Sequence, residues 1–165
     1  MIYIDPLRSK DIGKCLEIYN YYIKNTGFSL EEAEVLPEVF RARAENIMNR
    51  YPFLVAHDED GNVKGYAYLD VFNVRSAYRH TADLSIYVDN SETHGHIGEK
   101  LLSEIEKTAP QYGITNIISI ITDINEVSVK FHEKYGFVRE GRLHDVAIKF
   151  GQSVGIYYYR KNLRK

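Results

Sequence analysis

The chain has 165 residues, 27% of them charged and 44% hydrophobic, with a formal net charge of −2. That is enough for one domain, residues 1–165, with a buried core, and it lacks the basic excess of a nucleic-acid binder. The lone cysteine, Cys15, excludes an internal disulfide, and charges from Asp5 onward leave no signal peptide and no run near the ~20 apolar residues of a membrane span. The expectation is a cytoplasmic protein with neither nucleic acid nor membrane as partner.

Residues 2–4 read as a short strand stopped by Asp5 and Pro6. Ile12, Cys15, Leu16, Tyr19, Tyr22 and Ile23 recur at spacings of three and four, an amphipathic helix. Cys15 lies in that apolar pattern, which suits a small buried hydrophobe better than a reactive thiol. Pro37 fits the first turn of a second helix, with Val39, Phe40, Ile47 and Met48 facing inward. Residues 53–56 and 63–71 form a hairpin around the Asp58–Asn62 turn, where Gly61 tolerates positive φ. Residues 82–88 alternate, with Leu84, Ile86 and Val88 on one side and Asp83, Ser85 and Tyr87 on the other. A loop from Asp89 to Gly95 leads to a third helix marked by Ile97, Leu101, Leu102 and Ile105 and broken at Pro110. Residues 117–121 are almost uniformly apolar, the pattern of a strand covered on both faces. A fourth helix runs from Asn125, which can cap its start, to Tyr135, and Gly136 can close its end in the left-handed conformation. Residues 137–150 and 156–159 supply the last strands. The order β-α-α-β-β-β-α-β-α-β-β predicts an α/β (α+β) fold, a mixed sheet with helices on both faces.

That order resembles the GCN5-related N-acetyltransferase (GNAT) superfamily, and within it the phosphinothricin and methionine sulfoximine acetyltransferase branch. Three segments carry the resemblance, which spans nearly the whole chain. Phe72, Arg75, Tyr78, Thr81, Asp83, Ser85, Tyr87 and Val88 follow the branch pattern F-x-x-R-x-x-Y-x-x-T-x-E-x-S-x-Y-V, with Asp83 in place of Glu. Asn125, Ser128, Phe131, His132, Glu133, Gly136 and Phe137 follow N-x-x-S-x-x-L-H-E-x-x-G-F, with Phe131 in place of Leu. Lys149, Phe150 and Gly151 complete the set. The family's sheet is mostly antiparallel and twisted. The resemblance implies acetyl transfer from acetyl-CoA, used as a cosubstrate without a metal, to a small amine of the phosphinothricin or methionine sulfoximine type.

The resemblance also implies roles. The backbone of Ile86, Tyr87 and Val88 would pair with the pantetheine arm and polarise the thioester carbonyl. The pyrophosphate would lie at Thr93, His94, Gly95, His96, Ile97, Gly98 and Glu99, where a loop enters a helix and free N–H groups meet the helix dipole. Here the family's Q/R-x-x-G-x-G/A pattern keeps only Gly98; Thr93 replaces the first polar residue and His96 the first glycine. The alternative is a plain polar helix entry. A metal at His94 and His96 lacks a supporting carboxylate or cysteine cluster. Asn125 and Ser128 would touch CoA, and Asn125 also suits a cap. Asp83 stands where the branch has its general base, because an ammonium cannot attack a thioester; its alternative is an ion pair with Arg79 or Arg75. His132 would face the CoA sulfur, or else is a helix histidine packed on the sheet. Arg75 and Tyr78 would take the acceptor's acid group, unless Arg75 is a surface arginine, and Phe28 would form a wall.

After Lys149–Gly151 the branch carries Trp and Asp, whereas this chain has Gln152, Ser153, Val154 and Gly155, which opens the acceptor's identity. Two further readings stay open: a non-catalytic CoA-binding module on the same fold, and acetylation of a different amine or a peptide. Branch members are commonly dimers, so a homodimer is expected, with residues 156–159 as its contact.

Overall fold

The computed structural model describes residues 1–92 and 96–164. The elements are β1 (Tyr3–Pro6), α1 (Ile12–Asn25), α2 (Pro37–Met48), β2 (Phe53–His57), β3 (Val63–Val71), β4 (Thr81–Val88), α3 (Ile97–Thr108), β5 (Asn116–Thr122), α4 (Glu126–Lys134), β6 (Val138–Lys149) and β7 (Gln152–Asn162). The seven strands form one sheet in the order β1-β2-β3-β4-β5-β7-β6. Every neighbouring pair is antiparallel except β4 and β5. The predicted mixed, mostly antiparallel sheet with helices on both faces is the observed one.

The two faces follow from the alternation of β3 and β4. Tyr66 and Tyr87 are register partners, as are Tyr68 and Ser85, and Asp70 and Asp83. Tyr66 meets Phe40 of α2, and Tyr87 meets Tyr19 and Tyr22 of α1, so this set faces α1 and α2. The alternate set faces α3, where the Cβ of a residue replacing Gly65 would meet Ile97 at 3.1 Å. Leu101 and Ile105 of α3 and Ile117 of β5 are fully buried there, each aliphatic side chain contributing roughly 1.5–3 kcal/mol relative to exposure. On the other face Cys15 of α1 is buried, which pushes its thiol up to about 12 and keeps it protonated.

Several boundaries differ from the expectation. β1 continues through Asp5 and Pro6, paired to Val55 and Leu54, because it is an edge strand and the missing proline N–H costs no ladder bond there. On α2 the inward stripe is Phe40, Ala44 and Ile47, while Val39 and Met48 are exposed; spacings of four and three select one face, and positions 39 and 48 flank it. β5 is covered on both faces except at Ile120, which is exposed. β7 is longer than residues 156–159 and lies between β5 and β6. Its edges are therefore both paired, and the free edge at this end of the sheet belongs to β6.

Candidate functional site

β4 and β5 run parallel for only three pairs, Thr81–Asn116, Ala82–Ile117 and Asp83–Ile118. Beyond Asp83 the strands part. Parallel strands share no turn that would force them to stay together, and here the separation leaves the far half of β4 without a partner on that side. A cavity of about 340 Å³ opens in the gap. Leu84 to Val88 form one wall and Ser119 to Thr122 the other, with Tyr22 and Phe28 at the α1 side and Gly98, Asn125, Ser128, Phe131 and His132 at the α3 and α4 side. The cleft thus passes through the plane of the sheet and joins its two faces.

The α4 side is built from a cap. Asn125 accepts a hydrogen bond from the Ser128 N–H at 3.2 Å, which fixes the first turn of α4 on the wall of the cleft. One turn on, His132 is buried, and its Nδ1 lies 2.7 Å from the Ser128 carbonyl oxygen and 3.2 Å from Ser128 Oγ. The carbonyl can only accept, so the proton is assigned to Nδ1 and Nε2 is left with a lone pair. Burial holds the imidazole below its ordinary value, against the Ser128 hydrogen bond, and His132 is neutral at pH 7.

At the helix entry, His96 is the N-cap of α3, with φ 54° and ψ 35°, the left-handed region. Its ring turns outward to Glu99, Nδ1 to Oε2 3.1 Å, so it does not fill the space in front of the helix. Ile97 is buried and can offer only its backbone to a ligand. Gly98 sits where an added Cβ would meet Phe131 at 3.4 Å, so its lack of a side chain keeps this corner open. Thr93, His94 and Gly95 lie outside the described residues. Among the described residues no cluster of three His, Cys, Asp or Glu side chains could hold a metal ion.

Asp83 is half-buried on the α1 and α2 face of β4, two residues before Ser85 of the cleft wall. Burial, then the Asp70 carboxylate opposite, push it up to about 7 against a hydrogen bond from the Leu84 N–H. Among the described residues it forms no ion pair, which removes the alternative pairing with Arg79 or Arg75. Arg75 and Tyr78 are exposed on the β3–β4 connection, where Tyr78 packs on Phe72 and Arg79 bonds the Ser76 carbonyl. The structure brings Phe28, Ile86, Tyr87, Val88, Gly98, Asn125, Ser128 and His132 to the cleft and leaves Arg75 and Tyr78 outside its walls.

Residues to which no role was assigned from sequence, Lys149 of the family set among them, complete the site. Tyr22 donates its hydroxyl to the Val88 carbonyl, tying α1 to the end of β4. The Ser119 and Thr122 hydroxyls are buried in the β5 wall with no hydrogen-bond partner among the described residues. In the α1–α2 loop, Glu31 gathers Tyr19 and both nitrogens of the Arg43 fork, at 3.0 and 2.8 Å. Lys149 is buried against the same loop, donating to the Ser29 carbonyl at 2.7 Å and to that of Glu31. A tyrosine or lysine in an amphipathic pattern carries no local mark of such contacts across 66 or 120 residues.

Set against known proteins, the chain matches the acetyltransferase (GNAT) domain family over residues 4–155. It is 30% identical over 157 residues to an L-methionine sulfoximine/L-methionine sulfone acetyltransferase of Pseudomonas paraeruginosa, covering 93% of this chain and 90% of that one. It is 28% identical over 148 residues to a phosphinothricin N-acetyltransferase of Streptomyces viridochromogenes, covering 90% and 80%. Among solved structures, a GNAT superfamily phosphinothricin acetyltransferase from Sinorhizobium meliloti in complex with AcCoA superposes with a TM-score of 0.93 at 28% identity, over 98% of this chain and 88% of that one.

Proposed function

Given that the chain belongs to the GNAT acetyltransferase family, we propose that it moves an acetyl group from acetyl-CoA to the amine of a small amino-acid-like acceptor of the phosphinothricin or methionine sulfoximine type. The observation that carries this reading is the parting of β4 from β5 directly after Asp83. It leaves unpaired β4 backbone along one wall of a through-sheet cleft and sets a carboxylate beside it.

The residues present fit a CoA thioester. Backbone groups of Ile86, Tyr87 and Val88 can pair with a pantetheine arm, and the N–H groups at the start of α3 can receive a diphosphate, with His96 turned aside and Gly98 leaving room. Thr93, His94 and Gly95 would complete that cradle, and Asn125 and Ser128 would close it at α4. Asp83 takes a proton from the acceptor ammonium; a base near 7 is matched to neutral pH. The freed amine attacks the thioester carbonyl, whose developing negative charge is met by the β4 backbone. The second amine proton ends on the departing sulfur, and the Nε2 lone pair of neutral His132 serves as its relay. Phe28 bounds the acceptor side, and Arg75 and Tyr78 reach its carboxylate from the β3–β4 connection.

The reading covers residues 1–165 as one domain working as a homodimer. Exposed Val146 and Ile148 on β6, the free edge strand, and Phe150 in the turn after it favour that edge, in place of residues 156–159, as the contact. The test is thiol release from acetyl-CoA across a panel of amino-acid analogues. Turnover with L-methionine sulfoximine or phosphinothricin supports the assignment; tight acetyl-CoA binding with no turnover on any amine refutes it.

A further inference from the structure

Asp70 and Asp83 are direct register partners on β3 and β4, on one face and both half-buried. Like charges placed opposite each other across a strand pair destabilise a sheet. Among the described residues no cation offsets this pair, and Asp83 has only the Leu84 N–H as a donor. Asp70 Oδ1 accepts only the Val71 N–H, at 2.8 Å, and among the described residues neither carboxylate forms an ion pair. From α2, Arg43 lines a second cavity of about 240 Å³ together with Asp70, Tyr19 and Tyr68, yet its guanidinium is held by both Glu31 oxygens. From α1 the facing groups are the neutral phenols of Tyr19 and, on the sheet, Tyr68 and Tyr87. On the β5 side, Arg160 is engaged by Glu140 and Asn116.

Resting on the reading of Asp83 as the base, we infer that Asp70 is a positioning residue of acetyl transfer: its carboxylate, set across from Asp83, holds that base ready to take a proton from an ammonium-bearing acceptor. In the step an ammonium N–H bond breaks and an O–H bond forms on Asp83, while Asp70 takes no part in the proton transfer. Its charge stabilises the protonated Asp83. The cavity beside Asp70 borders Tyr68, and the cleft borders Ser85, the register partner of Tyr68. Asp70 thus lines the second cavity, and Asp83, its register partner, lies two residues before Ser85 of the cleft wall.

The test is Asp70→Asn, an isosteric change, with Asp70→Ser as a second variant. The carboxyl carbon of Asp83 is titrated by NMR in each protein, a measurement that needs no acceptor. The expected result is a midpoint lower by about one pH unit in both variants. The acid limb of kcat/KM with L-methionine sulfoximine moves in the same direction, with an alkaline plateau retained within about threefold. Thermal stability at pH 8 rises, whereas loss of a merely structural aspartate lowers it. An unmoved midpoint overturns the role of Asp70 and leaves Asp83 as base intact. Full turnover by Asp83→Ala removes the base itself, and the inference with it, and that outcome is read in a separate variant.

Discussion

Asp83 shows how a single side chain is tuned by where the chain leaves it. In water its carboxyl would ionise near its ordinary 3.8; half-burial and the Asp70 charge raise it to about 7. The rate is therefore expected to climb with pH through about 7 and then level, as the base sheds its proton. Asp83→Ala is expected to lower kcat by about 10²-fold or more with little change in the acetyl-CoA dissociation constant measured by calorimetry; unchanged turnover would take Asp83 out of the mechanism. Stability carries the opposite sign. Between 3.8 and about 7 the folded chain keeps a proton that the unfolded chain has released, so stability falls as pH rises across that window. Asp83→Asn should abolish this decline, giving a variant that is less active yet relatively more heat-resistant at pH 8 than at pH 5. A melting series of both proteins at the two pH values decides it.

Two elements show what the sequence can and cannot carry. α3 was legible from Ile97, Leu101, Leu102 and Ile105, since a stripe at spacings of four, one and three is local information. At its entry the sequence shows a histidine where the family has glycine; that the chain accepts the left-handed conformation at His96 and turns the ring to Glu99 is visible only in the structure. The left-handed region costs a non-glycine residue roughly 1–2 kcal/mol, partly offset by glycine's larger chain entropy. His96→Gly should stabilise the protein by up to about 1 kcal/mol in denaturant titrations and should not weaken acetyl-CoA binding. The α1–α2 loop was illegible. Its wall depends on Lys149, distant in sequence, whose ammonium reaches the Ser29 and Glu31 carbonyls, and burial depresses that lysine below its ordinary value. Lys149→Met leaves two carbonyls unpaired and should cost about 1–3 kcal/mol; it should raise the acceptor KM several-fold while acetyl-CoA affinity holds. Gly155, read as a departure from the branch, has a packing reason: a Cβ there would meet the Leu143 carbonyl at 2.6 Å. No neighbour in sequence announces that approach, just as none announced that Asp70 would face Asp83.

For the molecule as a whole, the parting of β4 and β5 divides one sheet into a four-stranded and a three-stranded portion. Sheet pairing joins them through three residue pairs. A ligand lying between the walls touches both portions and so acts as a suture across a short seam. Saturation with CoA at a hundredfold excess over its dissociation constant should add about 2.7 kcal/mol to the unfolding free energy. It should also slow amide exchange most at residues 84–88 and 119–122, beside the gap, and least in the distant β1–β2 pair. Uniform slowing, or none, would mean that the two portions are already locked by their helices. In the other case the molecule is weakest along the line where it is meant to be filled, and its cohesion becomes a reporter of cosubstrate supply.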